Sequence, residues 1–278
     1  MAYTIFNDDD IIDGNIVRGV TSTAFSNNSG SISVVYSSST QTASAAGPYH
    51  WEVYNLPTTN VTSEVQFSLA YGHYQGKGTS PETGATAGYT PSKAVYNQFR
   101  NLLLEDTEES TKFGFGDNTF ADRMYFMTMN RARYKQGVNA GNWELHLSSS
   151  NSFGGATGKP LKLTDDSSVS NGNTVNGHLV YNIISGSETT LYTDASSDYH
   201  YWGLFYPELG IFALNGDRVI SGSGTNGSST YGLQLNGAAS TLPANGTSVD
   251  IDNGMNSKLY NSILAGKYFA VRAEEDVT

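Results

Sequence analysis

The side chains able to perform chemistry in this 278-residue sequence are five histidines and 26 aspartates and glutamates, set in a hydroxyl-rich background with no cysteine. Without a thiol there is no disulfide framework, no thiolate metal ligand and no cysteine nucleophile. His50, His73, His146, His178 and His200 are scattered, and none stands at the spacing that sets two imidazoles on one helix face. Asp8, Asp9, Asp10, Asp13 and Gly14 crowd together, but a calcium loop needs Gly at its sixth position and Glu at its twelfth. Counting from Asp8 puts Gly14 seventh and Gly19 twelfth, so the segment reads as a solvated acidic turn. Gly154-Gly155-Ala156-Thr157-Gly158-Lys159 runs into Pro160 where a phosphate loop requires Ser or Thr. No Gly-x-Ser-x-Gly precedes a helix. Glu144, Glu188 and Glu208 could serve a glycosidase, yet nothing around them in sequence sets one acid's pKa apart from another's. The expectation is therefore no catalytic residue, no metal and no cofactor.

What remains are contact residues. Arg123, Arg131, Arg133 and Lys135 form the one basic cluster in a chain of formal charge −11. Nucleic-acid binding needs clustered cations to neutralise phosphates, so the acidic balance argues against it, and the four read as surface or interface charges. The densest aromatic stretch is Tyr199, His200, Tyr201 and Trp202, followed by Phe205 and Tyr206. Its plain reading is core packing of a short strand, and its sharper one is contact with a carbohydrate or a partner. Tyr199, Tyr201 and Trp202 join the four basic residues as candidate interface positions.

The elements that would carry these residues are mostly strands. Gly (30 residues), Ser, Thr and Asn abound, which favours turns and short strands over long helices. A content of 38% hydrophobic and 12% aromatic residues supplies a core. Strands are expected over 31–36, 50–56, 65–71, 124–129, 142–147, 178–185, 190–193, 202–206, 211–214, 218–220 and 267–272. The run 124–129 is apolar on both faces, as in a strand buried between layers. With 142–147, whose Trp143, Leu145 and Leu147 should face inward, it is expected to form the core pair. Asn215-Gly216 predicts a type I′ hairpin between 210–214 and 217–220. One amphipathic helix is expected over 91–104, with Thr90 as N-cap, Pro91 at the first position and Ala94, Val95, Phe99, Leu102 and Leu103 on its apolar face. A shorter helix fits 257–264.

The fold class read from this pattern is mainly β (α+β), with antiparallel, sandwich-like sheets and the one amphipathic helix. Its expected organisation is an N-terminal arm and small β region (1–88), the helix and a connecting turn (89–119) and a larger β domain (120–278). The 72–88 loop and the arm are expected contact regions. The opening residues do not read as a signal peptide, and no apolar run approaches the roughly 20 residues of a membrane span.

A resemblance rests on named segments. Asp122-Arg123-Met124-Tyr125-Phe126-Met127-Thr128-Met129-Asn130-Arg131-Ala132-Arg133-Tyr134-Lys135 leads to Gly141-Asn142-Trp143-Glu144-Leu145. Upstream stand Val65-Gln66-Phe67-Ser68-Leu69-Ala70-Tyr71-Gly72-His73 and Thr90-Pro91-Ser92-Lys93-Ala94-Val95-Tyr96. Together with 15–30 and Lys267-Tyr268-Phe269-Ala270-Val271-Arg272-Ala273, these resemble virion structural proteins of contractile-tailed bacteriophages, the T4-like marine ones in particular. The resemblance implies a non-enzymatic tail or baseplate subunit. It would be assembled in the host cytoplasm and carried in the virion, a homo-oligomer partnered by other tail subunits, with no nucleic acid and no membrane. The alternatives are a receptor- or glycan-binding adhesin of the tail, or a neck, collar or capsid decoration protein. Such sequences continue past the final strand, whereas this one stops at Glu274-Glu275-Asp276-Val277-Thr278, so no contact of that tail is carried over.

Overall fold

A computed structural model of the chain describes residues 17–20, 23–26, 31–32, 34–38, 50–77, 90–106, 108, 110–147, 161–191, 201–221 and 255–277. The elements in chain order are β1 (Val17–Val20), β2 (Tyr36–Ser38), β3 (His50–Tyr54), β4 (Val65–His73), α1 (Pro91–Leu103), β5 (Phe113–Gly114), β6 (Phe120–Ala121), β7 (Arg123–Met129) and β8 (Gly137–Leu147). There follow β9 (Leu161–Asp165), β10 (Asn173–Val175), β11 (His178–Ser187), β12 (Thr190–Leu191), β13 (Tyr201–Tyr206), β14 (Ile211–Asn215), α2 (Gly216–Ser221), α3 (Met255–Gly266) and β15 (Phe269–Val277). The fold is mainly β and antiparallel, as the sequence predicts.

Thirteen strands form one sheet in the order β1-β15-β8-β9-β11-β13-β14-β7-β4-β3-β2, with β10 and β12 attached to β11. Strands from before residue 88 and from after residue 119 belong to this one sheet. The sheet curls until its ends meet. Ile32 bridges Phe269 of β15, and a few residues later Tyr36 pairs with Tyr54 of β3. One stretch of backbone therefore reaches both edges.

Alternation sorts the side chains into two cores. Phe67, Leu69 and Tyr71 of β4, Tyr125, Met127 and Met129 of β7, and Phe212 and Leu214 of β14 face the inside of the curl. There they meet Trp143, Leu145 and Leu147 of β8 and Phe269 and Val271 of β15. The aromatic contacts are close: Trp143 to Phe212 at 4.7 Å and Phe67 to Phe269 at 5.3 Å between centroids, both edge to face. β7 and β8 share this core as expected, but they are not hydrogen-bonded neighbours. α3 adds Leu259 and Ile263, and its Tyr260 donates to the Val35 carbonyl at 3.0 Å.

The outer face of β4, β7, β13 and β14 presents Ala70, Met124, Phe126, Ala213 and Tyr206 to α1. This second cover explains why β7 is apolar throughout. Thr90 caps α1, accepting from the Lys93 N–H at 3.3 Å, and Pro91 opens it. The buried face differs from the expected one. Tyr96, Arg100 and Leu103 are buried, Val95 and Phe99 are half-buried, and Ala94 and Leu102 are exposed. Tyr96 can be buried because its hydroxyl donates to the Ala121 carbonyl (2.8 Å) and accepts from the Phe113 N–H (3.1 Å). Phe99 stacks flat on Phe126 at 3.9 Å.

The expected hairpin at Asn215-Gly216 is corrected: Gly216–Ser221 is a helix, and the predicted strand 218–220 lies within it. Asn215 Oδ1 accepts from the Arg218 N–H at 3.1 Å, so the asparagine starts a helical turn instead of a hairpin. The type I′ conformation occurs at Asn176 and Gly177 (φ 50° and 77°), joining β10 to β11. β13 and β14 are instead joined through Pro207-Glu208-Leu209-Gly210.

α1 can approach the sheet because Gly72 lacks a side chain; a Cβ there would stand 2.9 Å from both the Tyr96 Cα and N. Gly72→Ala is accordingly expected to destabilise the fold by about 1–3 kcal/mol, read as a lower denaturant midpoint with an unchanged slope. An unchanged midpoint would show that the helix does not depend on this approach.

Candidate functional site

The structure divides the candidate interface residues between two ends of the curled sheet. β7 is seven residues long, roughly 20 Å at strand rise, so Arg123 at its start and Arg131 beyond its end lie far apart. Arg131, Arg133 and Lys135 fall together on one rim. Arg123, Tyr201 and Trp202 fall at the other end, where β13 begins, and Tyr199 lies outside the described residues.

The first rim is built from turns. Asn130 leaves β7 and ties two of them together: its Nδ2 donates to the Val65 carbonyl (3.1 Å), while its Oδ1 caps a 3₁₀ turn, Arg131–Arg133, through the Ala132 N–H (3.0 Å). Arg133 reaches Glu64 at 2.9 Å, clamping this turn to the β3–β4 turn. Tyr134 is buried and its hydroxyl donates to the Leu209 carbonyl at 2.7 Å, anchoring the β13–β14 turn as well. Gly210, with φ 61°, leaves room for the Tyr134 ring, whose nearest atom would lie 2.7 Å from a Cβ. Over that ring sits the Arg131 guanidinium, 4.6 Å from the centroid, also donating to the Tyr134 carbonyl at 3.0 Å. Arg131, Ala132, Lys135 and Gln136 are exposed, as are residues 57–62, with Val61 fully so. A rigid base thus presents a polar, partly cationic rim.

At the opposite end the candidates are internal. Arg123 Nη1 pairs with Asp217 Oδ1 at 2.6 Å, and the other oxygen of Asp217 accepts the N–H groups of Asp122 (2.7 Å) and Arg123 (3.2 Å). Arg218 is buried, pairs with Asp117 at 2.5 Å and donates to the Tyr201 carbonyl at 2.7 Å. These pairs pin α2 and the β5–β6 turn to the sheet. Trp202 is 2% exposed, within the inner core. Strict alternation from Phe205 would send it outward, but the register between β11 and β13 shifts at Ile183/Ile184, and this bulge turns Trp202 in and Tyr201 towards the outer core. Phe205 and Tyr206 are buried too. Among its described members, the aromatic stretch serves packing and offers no open ring face of Trp202 to a sugar.

A third constellation was not visible in the sequence. Asn142, Glu144 and His146 alternate with Trp143, Leu145 and Leu147, and so face outward from β8. Glu144 is 7% exposed. Its Oε1 meets His146 Nε2 and lies 3.4 Å from Lys162 Nζ, and its Oε2 accepts the Glu188 N–H at 3.1 Å. Glu188 in turn pairs with Arg272 at 3.0 Å, and the His146 ring tilts against Tyr268 at 4.5 Å. Two of the three glutamates weighed for glycoside chemistry therefore converge, while Glu208 stands elsewhere, 3.6 Å from His178. Burial pushes the Glu144 carboxyl up, but the His146 and Glu188 hydrogen bonds and the Lys162 charge outweigh it and hold it below its ordinary range. A general acid needs the reverse shift. The arrangement suits ion pairing across three strands, with His146 directly opposite Lys162 in the β8–β9 register. Among the described residues no group of three or more His, Asp or Glu could hold a metal ion.

Because Glu144 titrates below its ordinary 4.5 when folded, its stabilisation is complete above that pH and is lost as pH falls through the folded value. Glu144→Gln should lower the unfolding free energy by about 1–3 kcal/mol at neutral pH. The gap from the parent chain should close in acid. A gap that stayed constant as the pH was lowered to the onset of acid unfolding would refute an ionic role.

No protein-family model, curated protein or solved structure matches the chain.

Proposed function

We propose that this chain is a non-enzymatic structural subunit of a bacteriophage virion, most naturally of the tail or baseplate, that works as an oligomer through contacts with its neighbours. One observation carries the reading: the rim where Arg131, Lys135 and Val61 stand exposed on a base fixed by Asn130, Arg133–Glu64 and Tyr134. Preorganised turns lose little conformational freedom on docking, so more of the contact energy is retained as affinity. Of the segment 122–135 that resembles virion proteins, residues 130–135 fall on this same rim. Its mechanism is geometric. Each copy presents the rim to a neighbour, an interface of standard size covers about 800 Å² per partner, and many such contacts hold a particle.

Immunogold labelling of purified particles should place the chain on the tail, and its absence from particles would end the proposal. Val61→Glu combined with Ala132→Glu should strongly reduce incorporation, with unfolding stability held within about 0.5 kcal/mol because both side chains are exposed. Normal incorporation of a stable double variant would remove the rim from the interface.

A further inference from the structure

The described parts of 17–38 close the sheet, pairing with β15 on one side and with β3 on the other. β1 pairs with the end of β15, Val17 opposite Val277 and Arg18 opposite Asp276. Further along, the Ala24 N–H reaches the Val271 carbonyl (2.7 Å), and Ile32 and Phe269 exchange two bonds at 2.8 and 3.0 Å. β2 then pairs with β3. Ala24, Phe25, Ile32 and Val35 are buried in the inner core, Phe25 edge to face with Phe269 at 5.5 Å.

Between these apolar anchors lies a polar seat. Ser26 donates its N–H to Gln66 Oε1 (3.0 Å), and its hydroxyl accepts from Gln66 Nε2 (3.0 Å) and Asn55 Nδ2 (2.7 Å). Gln66 is fully buried. An empty seat would leave Gln66 Oε1 without its Ser26 donor, while Nε2 would keep the Glu64 carbonyl at 2.9 Å, so Ser26 completes the bonding of this buried amide. The strand carries one charge, Arg18, whereas 269–277 carries Arg272 against Glu274, Glu275 and Asp276. Strap and groove are complementary in charge, and a second copy's strap meets no repulsion there.

We propose that the occupant of this groove in the assembled state is β1, Ala24–Ser26, Ile32 and β2 of a second copy of the same chain, exchanged between neighbours. The inference rests on the reading of the chain as an assembly subunit. Every contact named above is the same whether the strand arrives from its own chain or another, so the choice turns on linkage and concentration. Eleven residues separate Ser38 from His50 in the sequence. Fully extended they span up to about 40 Å, long enough to enter a neighbour. In a particle, neighbouring copies are held at high local concentration.

The absence of cysteine makes the test direct. Ser38 and Glu52 are paired across β2 and β3, so Ser38→Cys with Glu52→Cys should form a disulfide within one chain after dilute refolding. Oligomers formed at high concentration and then oxidised should instead yield covalently linked chains on a denaturing gel. Thr174→Cys with Leu179→Cys, paired in the β10–β11 hairpin, should stay intrachain throughout. Intrachain bonds alone in the oligomer would overturn the exchange while leaving the structural-subunit reading standing. A chain that forms no oligomer and is absent from particles would take that reading down with it.

Discussion

A sheet that curls on itself must satisfy the backbone groups along both of its edges, and here one stretch answers for both. Ile32 exchanges its N–H and carbonyl with Phe269, and Tyr36 begins the pairing with β3. Between these two points the inner core is sealed. Phe269 touches Phe25, Phe67 and Phe212, so rings from β15, β4, β14 and the closing stretch meet at one residue. If the closing strand left, β15 and β3 would become open edges beside exposed aromatic surface, the arrangement that invites pairing with another chain. With no cysteine and no metal cluster among the described residues, this closure bears what a disulfide or an ion carries in other small-stranded folds.

Charge follows the same logic of position. The inner core is apolar, and the ionic groups sit at its two ends and on one outer face. Asp217 and Asp117 hold α2 and the β5–β6 turn in place, Glu144 joins β8 to β9 and to Glu188, and Glu64 fixes the Arg131–Arg133 turn. Pairs of this kind set register and orientation more than they add stability. Arg131 and Lys135, by contrast, stand exposed on a turn outside the core.

How much of this could be read from residues alone depended on how local the deciding contact was. The α1 helix was legible because its cap, its opening proline and its length are all local. β7 was legible as a central strand because a strand that is apolar on both faces has to be covered on both. Asn215-Gly216 and Asn176-Gly177 carry the same dipeptide, yet only the second forms the I′ turn. Asn215 turns its amide oxygen to the Arg218 N–H, and a Cβ on Gly216 would stand 2.8 Å from the Arg123 carbonyl; both facts belong to the tertiary fold. The inward turn of Trp202 depends on a bulge in β13 against β11, and the Glu144 network on strand neighbours that no spacing reveals. Arg131, Arg133 and Lys135 share a rim because they are close in sequence. Arg123 leaves them because a strand intervenes.

The closing stretch was the least legible element, and its irregularity is informative. Ile32 and Val35 are buried while Val34 is 56% exposed, so the alternation breaks within four residues, and the surrounding serines and threonines give no apolar period to follow. Its partners come from opposite ends of the chain, since β3 follows it closely and β15 ends the described fold. Pairings between such distant segments close the longest loops and form late. The β8–β9–β11–β13–β14 meander can assemble from shorter-range contacts first, leaving the groove between β15 and β3 as the last place to fill. The edges are thus joined by pairings of large sequence separation, Ile32 with Phe269 and Val17 with Val277.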